Sequence, residues 1–440
     1  MPVPRMVKKR VVSLYYLDEY HPIITEYSIL GWSKIIWYAE GHMDWETLYC
    51  PNPACALYSV GFRESRLVKN GTTRGQRQAL CRACRSSVAL TYGTPYFDLE
   101  HDPALFALAI RALAEGNAIR ATARIIQVDK DTVCLWLDRA AQHCRLVMLH
   151  LWQQLPVREC QLDELWSFVH TKDAHLAWAK ISRETYGDAW VWVAFAPEWR
   201  LVVAFVVGKR TQVEANLLLE RVAYVTTDLV PFFTSDQLPE YRTALLHVYG
   251  EWQQPPRRGS RGPQPQPRRV PRKELLYAQV VKTRARGRVV AVDHKVVFGD
   301  DQRVAACLAL LPTSATINTS FVERENLAFR QHNRRLTRKT NAFSKERPWL
   351  EKQLWLSLAY THFVLPHDSL RQELPMYEPT RGSGSPRRWR PRTPAMAAGL
   401  TDHVWTTDEL LSYRVPGLFV DQLDRLEHLF PKLEPIHQGN

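Results

Sequence analysis

Apolar residues between Leu105 and Val147 recur every three or four positions, the period of helices with one buried face. Punctuation divides this stretch into three. Asp102-Pro103 supplies an N-cap and a first-turn proline, and LFALAIRALAEG then runs to a stop at Gly116-Asn117. A short helix fits AIRATARII at 118–126, Val128-Asp129 makes a turn, and KDTVCLWLDRAAQHCRLV at 130–147 predicts a longer amphipathic helix. Helix, short helix, tight turn and helix is the order of a helix-turn-helix, whose last helix enters the major groove. Arg120, Lys130, Thr132 and Arg139 are then its candidate DNA contacts, against the alternative of a helical linker packed on its neighbours.

From about 158 to 365 the period switches between two and 3.6, predicting strands that alternate with helices. ECQLDELWSFVHTK reads as a strand with Asp163 at its middle, and the β-branched and aromatic run at 189–207 as two strands joined by a turn. A helix over 211–225 follows, then the short strand PFFTSD ending in Asp236, then the helix YRTALLHVYG. Residues 277–300 suggest a hairpin with a basic turn. SFVERENLAFRQHNRRLTRKTNAFSKE predicts one long helix over 320–346 whose Arg324, Arg330, Arg334, Arg335, Arg338 and Lys339 form a rail for a phosphate backbone.

Charge and composition narrow the partner. The 440 residues carry 58 Lys and Arg against 45 Asp and Glu, a net charge of +13 that favours a polyanion such as nucleic acid. Part of that excess has an address, because residues 252–273 hold seven Arg or Lys, six Pro and no acid, the composition of a flexible basic loop. The run at 189–207 is interrupted by Pro197, Glu198 and Arg200, which excludes a spanning helix, so no membrane partner and a cytoplasmic, nucleoid-associated protein are expected. Among eight Cys, Cys50-Pro-Asn-Pro-Ala-Cys55 is answered by Cys81-Arg-Ala-Cys84. Two close pairs on turns separated by hairpin-like sequence predict a structural four-thiolate Zn²⁺ site, against the alternative of four ordinary thiols.

Asp163, Asp236 and Glu323 are far apart along the chain, so only folding brings them together. Acids between a core and a DNA-attracting surface are costly to bury without a cation. Three carboxylates around two Mg²⁺ ions, for which Mn²⁺ can substitute, would relieve that cost and create a site for phosphodiester chemistry. Surface salt bridges are the bland alternative. Glu164 should point to the opposite face of its strand from Asp163 and is a secondary candidate only.

From Leu48 to about Phe363 the sequence resembles the transposases of the insertion sequence one family. The matching pieces are the two cysteine pairs, IRATARII, LDELW around Asp163, TSDQLPEY around Asp236, and VERENLAFR followed by RRLTRKTNAFSKE. The resemblance implies a DDE enzyme with a multidomain α/β architecture: a zinc ribbon and helix-turn-helix followed by a ribonuclease-H-like domain with a mixed sheet and flanking helices. It makes Glu323 the third acid, and places Arg330 and Asn326 on the same helix face near DNA. The expected division is a leader at 1–45, a zinc ribbon at 46–98, a helix-turn-helix at 99–150, a catalytic domain at 158–365 with the basic insert 252–273, and a linker and tail at 376–440. The implied activity is Mg²⁺-dependent cleavage and strand transfer of terminal inverted repeats into target DNA by a homodimer or larger assembly. A catalytically silent DNA-binding regulator and a related nuclease or integrase are the competing classes.

Overall fold

The computed structural model describes residues 43–434 apart from 74, 180–185, 258–263, 381 and 383, so the leader expected at 1–45 falls almost wholly outside the described residues. Three short antiparallel strands, β1 (Leu67–Thr73), β2 (Gln76–Cys81) and β3 (Ser87–Ala89), form the ribbon. It closes on its own small core of Leu48, Leu67, Ala79, Val88 and Leu90.

Helices α1 (Pro103–Ala114), α2 (Ile119–Ile126) and α3 (Lys130–Leu151) form where the punctuation predicts them. Asp102 caps α1 by accepting from the Ala104 N–H at 2.8 Å, and Asp129 caps α3 in the same way through the Asp131 N–H at 2.7 Å. Between α2 and α3, Gln127 adopts the left-handed conformation that ends a helix. These helices do not make a separate body. One continuous core runs from Tyr96 on the approach to α1, through α3, to Leu433.

The centre of the molecule is a six-stranded sheet. Its strands are β4 (Glu159–Val169), β5 (Gly187–Ala196), β6 (Leu201–Gly208), β7 (Phe232–Ser235), β10 (Leu276–Ala285) and β11 (Arg288–Phe298), in the order β11-β10-β7-β4-β5-β6. β4, β5 and β6 form an antiparallel meander, β7 lies parallel to β4, and β10 lies parallel to β7. The meander is fully apolar along β6, as a strand buried on both faces requires. A one-turn helix α4 (Leu176–Ala179) lies between β4 and β5. Helices α5 (Gln212–Val225) and α6 (Pro239–Tyr249) pack on each other and α5 on β5 and β6. The basic insert is only partly a loop: β8 (Gly250–Gln253) pairs with β9 (Arg268–Pro271) at its base.

After α7 (Asp301–Leu310), helix α8 (Ser320–His332) lies against β4 and β5, and α9 (Arg347–Ala359) against β6 and α3. The single helix expected over 320–346 is therefore two helices with an irregular stretch between them. Asn333, fully buried, takes an extended conformation there and its Oδ1 accepts from the Arg335 N–H at 3.0 Å, an alternative to continuing the helix.

The stretch expected as linker and tail holds a hairpin and three short helices. β12 (Gln372–Glu378) and β13 (Arg387–Arg390) make a hairpin, and α10 (Pro394–Ala397), α11 (Thr407–Ser412) and α12 (Gly417–Asp424) return across the molecule. The Arg414 guanidinium donates to the carbonyls of Tyr92 at 2.7 Å and Asp44 at 3.3 Å and to Thr47 at 2.6 Å, fastening this segment to the ribbon. His143 on α3 donates through Nε2 to the Leu410 carbonyl at 3.0 Å, and the Tyr96 hydroxyl donates to Asp408 at 3.0 Å.

Candidate metal centre and carboxylate site

Cys50, Cys55, Cys81 and Cys84 converge: their sulfurs lie within 4.8 Å of one another, with 3.5 Å between Cys50 and Cys84 and 3.9 Å between Cys55 and Cys81. Thiolates about 2.3 Å from a tetrahedral Zn²⁺ sit roughly 3.8 Å apart, so the donor set fits that ion. Cys50 and Cys55 come from the turn before β1; Cys81 ends β2 and Cys84 follows it. Ser86 lies beside the Cys84 sulfur at 3.2 Å, and its hydrogen bonds hold that thiol down at about 6.

The second cluster arises from strand register. β4 and β7 pair through Gln161 and Thr234, and two residues further on each strand lie Asp163 and Asp236. The parallel ladder therefore brings these two acids level, just beyond the end of β7. That is the end of an open α/β sheet where a crevice forms. Their carboxylates lie within 4.8 Å of each other and of Glu164. Glu164 thus joins the pair from the opposite face of β4, the face it shares with its cross-strand partner Trp192. Among the described residues β4 pairs with β7 only as far as Gln161, and beyond it the Glu164 carboxylate is held on its own face by Arg210 and by the Tyr241 hydroxyl, which donates to it at 3.1 Å and whose ring packs on Trp192.

Burial raises the Asp163 carboxyl to about 7, and the charge of neighbouring Glu164 adds to the shift. Burial, then the charge of Asp236, raises Glu164 as well, with Arg210 opposing. Like charges packed this closely are the condition that a cation relieves.

Helix α8 brings Glu323 and Asn326 to the same end of the sheet. Its first turn is docked by buried Gln161, which accepts from the Val322 N–H at 3.1 Å and donates to Asn318 at 3.1 Å. Glu323 does not complete the tight cluster. Its carboxylate is bound to Lys282 on β10 and accepts from Thr319 at 2.8 Å. Its charge is nevertheless felt at Asp163. Asn326, expected to face DNA, is buried and donates through Nδ2 to Asp163 Oδ2 at 2.7 Å, while its Oδ1 has no partner among the described residues.

The other candidate DNA contacts divide. Arg120 and Lys130 are exposed on α2 and α3, with Lys130 paired to Asp131 at 2.7 Å, and Thr132 is half-buried in the first turn of α3. Arg139, half-buried, donates to the carbonyls of Phe97 at 2.7 Å and Pro95 at 3.2 Å, which ties α3 to the end of the ribbon segment. Arg330 donates to the Leu336 carbonyl at 3.4 Å. Arg334, Arg338 and Lys339 are exposed beyond the end of α8, but Arg335 is half-buried over Trp349, 5.7 Å from the ring centre, with Ser344 accepting at 3.4 Å. The rail is therefore not one helix face.

Arg210, Tyr241, Gln161 and Lys282 are site residues that pattern reading missed, and Glu164 was only its secondary candidate. No protein-family model matches the chain, and no curated protein matches it. Among the described residues no helix is long and apolar enough to cross a membrane.

Proposed function

We propose that the chain is a DNA transposase of the DDE type, and the observation that carries this reading is the level placement of Asp163 and Asp236 at the end of parallel β4 and β7. A meander β6-β5-β4 continued by parallel β7 and β10 supports the ribonuclease-H-like arrangement that the sequence resemblance implies. The ribbon and the α2–α3 turn would bind terminal inverted repeats, and the carboxylate end of the sheet would act on the phosphodiester.

Asp163, Asp236 and Glu164 would hold divalent Mg²⁺, with Glu323 joining once Lys282 is displaced. When bound, such ions supply Lewis-acid activation of an attacking oxygen and neutralise charge on a leaving one. The chain's own groups do the rest. Asn326 orients the Asp163 carboxylate, Arg210 and Tyr241 fix Glu164, and Gln161 keeps the first turn of α8 seated on β4.

End-labelled terminal-repeat DNA incubated with Mg²⁺ tests the assignment. The parent chain should nick and join it, and Asp163→Asn should reduce this by roughly 10⁴-fold, the scale of losing a group that acts in the chemical step. Equal activity in both would sink the catalytic role of Asp163. Binding without cleavage in the parent would favour the regulator, and cleavage without joined target the nuclease.

A further inference from the structure

We propose that the outer half of the β10–β11 ribbon is an arm that grips duplex DNA beside the carboxylate cluster, an inference that rests on the DNA-transposase reading. β10 pairs with β7 only as far as Gln279 and Ser235, so Val280 lies level with Asp236. The strand then continues to Ala285, five residues further at about 3.3 Å each, and carries the ribbon about 16 Å past the acids. Every residue from Thr283 to Lys295 is exposed.

Two-stranded ribbons are marginal in water on their own, and this one also exposes Val289, Val290 and Val292 at 45%, 61% and 52%. Its charge says what covers it. Lys282, Arg284, Arg286, Arg288 and Lys295 stand against Asp293 alone, and among the described residues the three arginines have no ion-pair partner. A second copy of so cationic a surface would be repelled, whereas a phosphate backbone is complementary. Lys282 and Arg284 are two apart on β10 and so share a face. Because Lys282 reaches Glu323, that face is turned toward α8 and the acids. The skipped residue Val290 marks a bulge that strengthens twist, and a twisted ribbon of this width enters a major groove, where valines can meet thymine methyl groups.

Fluorescence anisotropy of a short mixed-sequence duplex, titrated with the full chain at several salt concentrations, tests the arm. The variant Arg284→Ala/Arg286→Ala/Arg288→Ala should bind about tenfold or more weakly, with the slope of log affinity against log salt shallower by about 2 to 3. Lysine at the same three positions should restore the slope, which separates charge from misfolding. If the parent binds while the alanine variant keeps its affinity and slope, the arm is refuted and the functional reading stands. A lighter species in sedimentation for the alanine variant would also refute it, by making the ribbon a contact between protomers. If the parent shows no salt-dependent binding at all, the DNA reading falls, and the arm with it.

Discussion

Asn326 shows how a residue can be placed on the right element and given the wrong task. Three positions after Glu323 it shares a helix face with that acid, yet the face meets β4 and not solvent, so its amide serves Asp163. Asn326→Ala should therefore lower cleavage by about 10- to 100-fold, the usual cost of removing a partner that orients a ligand, while duplex affinity in anisotropy stays within about twofold. A large loss of affinity with normal cleavage would return Asn326 to the DNA surface. Asp163 and Asp236 were legible because each interrupts or ends an apolar strand. Glu164 was legible only as a secondary candidate, because period two sends it to the other face and the partners that hold it there beside Asp236, Arg210 and Tyr241, lie 46 and 77 residues away.

Elements were legible where their signals are local. Asp102 marks a helix start in the sequence and caps it in the structure, the turn read at Val128-Asp129 ends in the Asp129 cap of α3, and the strand pair at 189–207 forms around the turn that its proline and charges announce. Residues 320–346 misled because arginine and lysine favour helix throughout, whereas the break is made by Asn333, whose buried amide takes over a backbone N–H. The ribbon is the element most dependent on a ligand, since its core is a handful of side chains around four sulfurs. Cys81→Ser should lower bound zinc from about one equivalent toward none, the behaviour of sites where metal binding is folding energy, and expose β1–β3 to limited proteolysis. Unchanged metal content would reject the four-thiolate site.

At the scale of the whole molecule the C-terminal segment was the least legible part, because its partners are hundreds of residues distant and its composition reads as linker. Tyr96 and Asp408 are 312 apart, and His143 and the Leu410 carbonyl 267. Burial lowers His143 to about 4, and it lowers His150, bonded to the Tyr413 hydroxyl at 3.0 Å, to about 4 as well. A histidine held neutral in the native state binds fewer protons there than when unfolded, so its stabilisation is complete above about 6.5 and is lost as pH falls toward 4. At pH 5 the loss is of order 2 kcal/mol for His143, with half-exposed His150 adding less. Hydrogen exchange between pH 7 and pH 5 should accordingly show residues 405–415 losing protection before β4–β6, and equal loss in both would contradict the seam. The two cores carry a consequence for building chimaeras. Cutting at the junction near Trp152 to graft a foreign recognition half would bisect one continuous interior, from Tyr96 to Leu433. Exchanging only the cysteine-bearing ribbon would leave that interior whole and cut mainly polar fastenings, those of Arg414, of the Tyr49 hydroxyl to the Val415 carbonyl and of the Leu418 N–H to Ser59, which makes the ribbon the more separable unit.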